Sequence, residues 1–160
     1  MTRTAAREIA IQICYASQLS GTPAGEVTDS LFAPDYYATL SEENELFRGK
    51  PEEKQIAYIH ELVEQVEQHL DELNGYIEKY SRGWKLGRIS KVAAMILRCA
   101  MAEILYIDSV PTSVTVNEAV ELAKGYEEPE TVSFINGILG SFIRTEIENQ
   151  TADESGSDET

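Results

Sequence analysis

Residues 89–107 read ISKVAAMILRCAMAEILYI. Wound as a helix, this stretch is apolar nearly all round. A helix of that kind belongs at the buried centre of a bundle, because it has no face to give to water. Nowhere does the chain approach the ~20 consecutive apolar residues of a membrane span. The stretch therefore reads as the central helix of a water-soluble, all-α domain.

The flanking segments read as the helices around it. Upstream, a glycine-punctuated turn, SRGWKLGRIS (81–90), separates it from residues 51–80. There Ile56, Ile59, Leu62, Val63, Val66, Leu70, Leu73 and Ile77 form an apolar stripe, with Glu, Gln and His elsewhere. That spacing predicts one amphipathic helix of about eight turns, with Pro51, Glu52 and Glu53 suited to its start. Downstream, a turn at 108–112 contains Pro111. Thr112 or Ser113 can cap a helix through about Lys124, and Gly125 is placed to stop it. Another helix is expected from near Pro129 to about Asn149. Residues 3–19 repeat apolar side chains at Ala6, Ile9, Ile13 and Ala16, which predicts a first helix ended by Gly21, Pro23 and Gly25. Residues 26–50, with anchors such as Phe32, Tyr37 and Phe47, suit one or two short helices. No run of alternating β-branched residues is long enough for a sheet. The expected fold is a bundle of six or seven helices.

A chain of 160 residues with 42% apolar content suits one domain with a real core. The domain is expected to span residues 1–149. The tail QTADESGSDET (150–160) has four acids and no base, and reads as disordered. The first twenty residues carry Arg7, Glu8 and Gln12 among their apolar positions and do not read as a secretory signal. A cytoplasmic location is expected.

Cys14 and Cys99 sit far apart in apolar segments and read as buried free thiols. His60 and His69 lie nine residues apart with no cysteine partner, so neither a metal site nor a cofactor is expected. No glycine-rich phosphate loop, nucleophile elbow or HExxH motif is present, and no enzymatic activity is expected.

The formal charge is −15, from 28 acids and 13 bases. Such a surface disfavours non-specific nucleic-acid binding but leaves room for a local basic site. Eight of the thirteen bases occupy two short segments. Lys79, Arg82, Lys85, Arg88, Lys91 and Arg98 fall in twenty residues free of acids, and Arg3 and Arg7 open the chain. Cations near a helix start are mildly unfavourable. The internal cluster either pairs with acids of neighbouring helices or binds an anion. In the first helix, Arg3 and Arg7 lie one turn apart, away from the main stripe, with Ile11 and Tyr15 on the same outward half. Apolar groups there mean a second packing neighbour, or a contact face on which Tyr15 stacks against a base while arginines hold phosphate.

Asn117 and Asn136 lie inside apolar helical stretches. Asn is a poor helix former, so both are expected to tie helices together by hydrogen bonds. Gly137 and Gly140 suit close helix approach. Phe134 is either core or an exposed aromatic near a helix start.

Four segments together resemble the NusB family of bacterial transcription antitermination factors. They are AREIAIQICY (6–15), RISKVAAMILRCAMAEIL (88–105), VPTSVTVNEAVELAKGY (110–126) and FINGIL (134–139). The resemblance implies an all-α fold in two helical subdomains, without catalysis. It implies binding to the boxA element of ribosomal RNA leader transcripts. The partner would be NusE, a ribosomal small-subunit protein, within an RNA polymerase antitermination complex. It carries RNA contact onto Arg3, Arg7, Tyr15 and Phe134, and Arg82 and Lys85 of the internal basic cluster are expected to reinforce it. It carries partner contact onto the 88–98 segment and the 112–124 helix, through Arg88, Lys91, Glu118 and Glu121. The departure is a thinned N-terminal arginine cluster, with Thr4, Ala5 and Ala6 between Arg3 and Arg7. Glu127, Glu128 and Glu130 also precede Phe134. A protein-binding adaptor with little RNA affinity stays open as an alternative, as does a homodimer. So does a domain similar to the N-terminal part of ribosomal RNA cytosine methyltransferases.

Overall fold

The computed structural model describes residues 1–81 and 89–149. Arg82, Lys85 and Arg88, and the tail at 150–160, lie outside the described residues. The order among them is α1 (Arg3–Ser20), α2 (Ala24–Leu31), α3 (Pro34–Glu43), a 3₁₀ turn (Glu45–Phe47), α4 (Glu53–Gln68), α5 (Leu70–Tyr80), α6 (Lys91–Tyr106), α7 (Thr112–Lys124) and α8 (Pro129–Phe142). No strand occurs among the described residues.

The central helix is α6, as its composition requires. Ala93, Met95, Ile96, Leu97, Cys99, Ala100, Met101 and Ala102 are all buried along it. Ser90 starts it by accepting the Ala93 N–H at 2.9 Å, which satisfies one of the orphan donors of the first turn. α5, α7 and α8 pack around α6, while α1, α2 and α4 form a second group that meets α6 through α1 and α4. One continuous core runs through both groups.

The helix termini explain several boundaries. Thr2 accepts the Ala5 N–H at 3.1 Å and begins α1. Gly21 ends it with φ +73°, its N–H bonded to the Ser17 carbonyl at 2.9 Å. An L side chain in that left-handed conformation costs about 1–2 kcal/mol. Gly21→Ala is therefore expected to lower stability by about 1 kcal/mol in a urea titration, although a Cβ there meets no neighbour within 4 Å. Gly25, expected to help end α1, instead lies inside α2.

The expected eight-turn helix at 51–80 is two helices. Its capping box is present, with Glu52 N–H donating to Gln55 at 3.0 Å. The apolar stripe, however, serves two different surfaces. α4 packs on α1, α2 and α6, whereas α5 packs on α6 and α8. The change occurs at His69, whose ring stacks on Tyr106 with centroids 4.1 Å apart. At the other end, the helix expected to reach Asn149 leaves α-helical geometry after Phe142 and continues as a wider π-helical turn, Ile143–Glu148.

Candidate nucleic-acid interface

α1, α6 and α7 meet in a seam that holds most of the buried charge. Arg7 is 7% exposed. Its Nε donates to Glu103 Oε2 at 3.0 Å and its Nη2 to Oε1 at 2.9 Å. Tyr58 of α4 donates its hydroxyl to the same Oε1 at 3.0 Å. Burial opposes the Arg7 charge, but its hydrogen bonds to Glu103 and the charges of the nearby acids outweigh it and raise the pKa. Burial, and then Glu103, push the Tyr58 phenol far above its ordinary range. The seam continues outward at Glu118, whose Oε2 accepts from Thr4 at 2.8 Å and lies 3.8 Å from Arg7 Nη1.

This corrects the outward placement of Arg7. Ile11 is buried beside it, so the extra apolar groups on α1 mark a second packing neighbour. The physical reason is that α1 is flanked by both α4 and α6. Arg7 is consequently buried, and its guanidinium is engaged within the chain. Glu118 is drawn into the same seam, half-buried, and its carboxylate is engaged within the chain.

Arg3 remains at the surface. Its guanidinium carbon lies 4.3 Å from the centroid of the Tyr58 ring, a cation–π arrangement. Tyr126, just beyond α7, is a large exposed aromatic on the neighbouring outer face. Its hydroxyl donates to Glu8 Oε1 at 2.5 Å and accepts from Gln12 Nε2 at 3.4 Å.

Tyr15 is separated from Arg3 by twelve residues, about 18 Å along the helix axis. It lines a different place, a cleft of about 350 Å³ between α1, α5 and the start of α6. Lys91 and Arg98 also line that cleft, and no acid does among the described residues. Arg98 donates to Asn74 Oδ1 at 2.7 Å and to Gln18 Oε1 at 3.4 Å, both neutral. Desolvation without an acid partner lowers its pKa. Lys79, in contrast, pairs with Glu146 at 2.7 Å, and Glu121 pairs with Lys124 at 2.7 Å in the open.

The two asparagines also depart from expectation. Asn117 and Asn136 are exposed, and neither side chain makes a hydrogen bond among the described residues. They line one open groove of about 590 Å³ between α7 and α8. On α8 the buried side is Val132, Ile135, Ile138, Leu139 and Phe142, and Asn136 falls at its edge, next to Val132 in the groove. Gly137 faces open space and Gly140 meets only the Arg144 side chain, so neither serves close helix approach. Phe134 is half-buried and packs against the core edge. Cys14 and Cys99 are buried free thiols. The Cys14 contact, then burial, push the Cys99 thiol up.

The NusB family model matches residues 4–144. The transcription antitermination protein NusB of Acetivibrio thermocellus is 37% identical over 159 residues, covering 99% of this chain and all of that one. The chain belongs to the NusB family. Among solved structures, NusB from T. maritima superposes with a TM-score of 0.73 at 21% identity, over 91% of this chain and 92% of that one. A chain in the crystal structure of the antitermination factors NusB and NusE in complex with double-stranded RNA superposes with a TM-score of 0.68 at 24% identity, over 89% and 96%. Both show the same all-helical fold.

Within this NusB-family fold, the candidate residues sort into three places. Arg3 lies at the α1–α4 edge beside the seam, Tyr15 and Lys91 share the acid-free cleft, and Phe134 lies on α8. Sequence reading missed Tyr58, Tyr126 and the pairing role of Glu103. No helix among the described residues is long and apolar enough to cross a membrane.

Proposed function

We propose that the protein is a transcription antitermination factor that binds boxA RNA together with a NusE-like ribosomal protein, within an RNA polymerase antitermination complex. The observation that carries this reading is the end-to-end match to a transcription antitermination protein. The geometry supports a division of labour. Arg3 is the cation at the start of α1 left free for phosphate, with Phe134 and the Arg82 and Lys85 segment as further RNA contacts. Tyr15, Lys91 and Arg98 make the partner seat, joined by Arg88 and by the exposed Glu121 on α7. A half-buried arginine whose partners among the described residues are neutral is suited to a carboxylate from an incoming protein. In a chain of charge −15, the acid-free cleft is where such a carboxylate meets least repulsion.

Titration of a boxA RNA, with and without the NusE-like partner and across salt, tests this. Arg3→Ala is expected to weaken RNA binding and to reduce the log–log salt slope by about 0.7, the share of one phosphate contact on a single strand. Absence of RNA binding by the wild type, both alone and with the partner, would sink the proposal.

A further inference from the structure

Arg3 is a long, exposed side chain, yet the chain around it is tied down. The Thr2 hydroxyl caps α1 through the Ala5 N–H. The Gln55 side-chain amide donates to the Met1 carbonyl, and Met1 packs against the core. Between these fixings the Arg3 guanidinium lies over the Tyr58 ring at 4.3 Å. The ring is not free to turn away. Tyr58 is 6% exposed, and its hydroxyl is anchored on Glu103, which Arg7 grips through two nitrogens.

Resting on the reading of Arg3 as an RNA contact, we propose that Tyr58 is a positioning residue for RNA binding: its ring holds the Arg3 guanidinium, and the buried Arg7–Glu103 pair holds the ring. The stacked face of a guanidinium needs no hydrogen-bond partner, so its N–H edges stay directed outward. An RNA phosphate then meets an arginine that has already lost much of its rotamer freedom, and ordering it costs less on binding. This gives a second use to the buried charge of the seam. Arg7 acts on RNA through Glu103 and Tyr58, without touching it. One well-placed arginine can in this way partly offset the thinned cluster.

The test is a double-mutant cycle on the full chain, with a fluorescent single-stranded boxA RNA and saturating NusE-like partner. Tyr58→Leu is expected to weaken RNA binding about three- to fivefold, the scale of a cation–π contact. Tyr58→Phe, which keeps the ring but removes its hydroxyl anchor on Glu103, is expected to fall between Tyr58→Leu and wild type, and a loss as large as that of Tyr58→Leu would overturn the role of the ring face. In an Arg3→Ala background, Tyr58→Leu is expected to have no further effect. Independent losses for Arg3→Ala and Tyr58→Leu would overturn the positioning role while leaving Arg3 an RNA contact. An Arg3→Ala variant that binds RNA like the wild type would instead remove Arg3 as a contact, and the positioning role with it. The wild type alone supplies a check that needs no variant. NMR of the free protein is expected to show Arg3 side-chain protons shifted upfield by the ring, and random-coil shifts there would overturn the proposal.

Discussion

Replacing Arg7 with alanine is expected to lower the unfolding free energy by about 3–5 kcal/mol, the cost of breaking a buried ion pair from one side. The reason lies in what remains. Glu103 is 2% exposed, in the last turn of the central helix α6, among buried apolar side chains. Without Arg7 its carboxylate keeps only the Tyr58 hydroxyl at 3.0 Å, and a buried carboxylate so poorly partnered is strongly disfavoured. Removing both charges is a different matter. The pair Arg7→Met with Glu103→Leu fills similar volume without a buried charge, and is expected to recover most of the loss. Urea titrations of the two single variants and the double variant measure this, with coupling of several kcal/mol between the sites as the expected outcome. A loss below 1 kcal/mol for Arg7→Ala would show the pair to be dispensable. The result also governs how RNA data are read. Weak RNA binding by Arg7→Ala reports on folding first, whereas Arg3→Ala tests the proposed contact at the surface.

The burial of Arg7 shows where the sequence was legible and where it was not. α6, α7 and the start of α8 follow from hydrophobic pattern and Pro129, because those signals are local; the expected cap by Thr112 or Ser113 is not made, since both lie inside α7 and Pro111 precedes it without a side-chain bond. The direction of Arg7 is not local. Its helical angle placed it away from Ala6, Ile9 and Ile13, and only the second flank of α1 against α6 turns that angle inward. A signal did exist. Glu103 is the single acid between residues 79 and 107, inside a helix apolar on all sides. An acid so placed needs a buried cation or donor, and Arg7 beside Ile11 was available to supply it. The break at His69 had no comparable signal, since the stripe through Leu62, Val66, Leu70 and Leu73 continues across it. What separates α4 from α5 is which neighbours each meets, with Tyr106 stacked at the corner. Asn117 and Asn136 mislead for the converse reason. Poor helix propensity suggested a buried hydrogen bond, but the groove leaves both at the surface, where the penalty is tolerated. The site was legible only in part. Arg3 and Lys91 were within reach of charge counting, while the ring under Arg3 comes from α4, fifty-five positions away in the chain.

The largest effect expected from the apolar core is at Phe142, where replacement by alanine should cost about 3–5 kcal/mol. Phe142 is fully buried at the end of α8. Tyr76 and Tyr80 of α5 both meet its ring edge to face, with centroids 5.1 and 6.2 Å away. Truncation therefore removes transfer energy, leaves a cavity, and deletes two aromatic pairs at once. The site has little freedom to collapse. The π-helical turn that follows holds Glu146, which accepts from Lys79 at 2.7 Å and from Tyr80 at 2.5 Å. Those two donors, Lys79 foremost, hold the Glu146 carboxyl below its ordinary range. The turn is thereby fixed to α5 independently of Phe142 and cannot simply move in to fill the space. A lower urea midpoint with an unchanged slope is the expected result, since the loss falls on packing and leaves the surface exposed on unfolding nearly the same. A loss under 1.5 kcal/mol would mean that α5 and α8 close over the gap. RNA affinity of folded Phe142→Leu, which keeps most of the volume, is expected to stay near wild type.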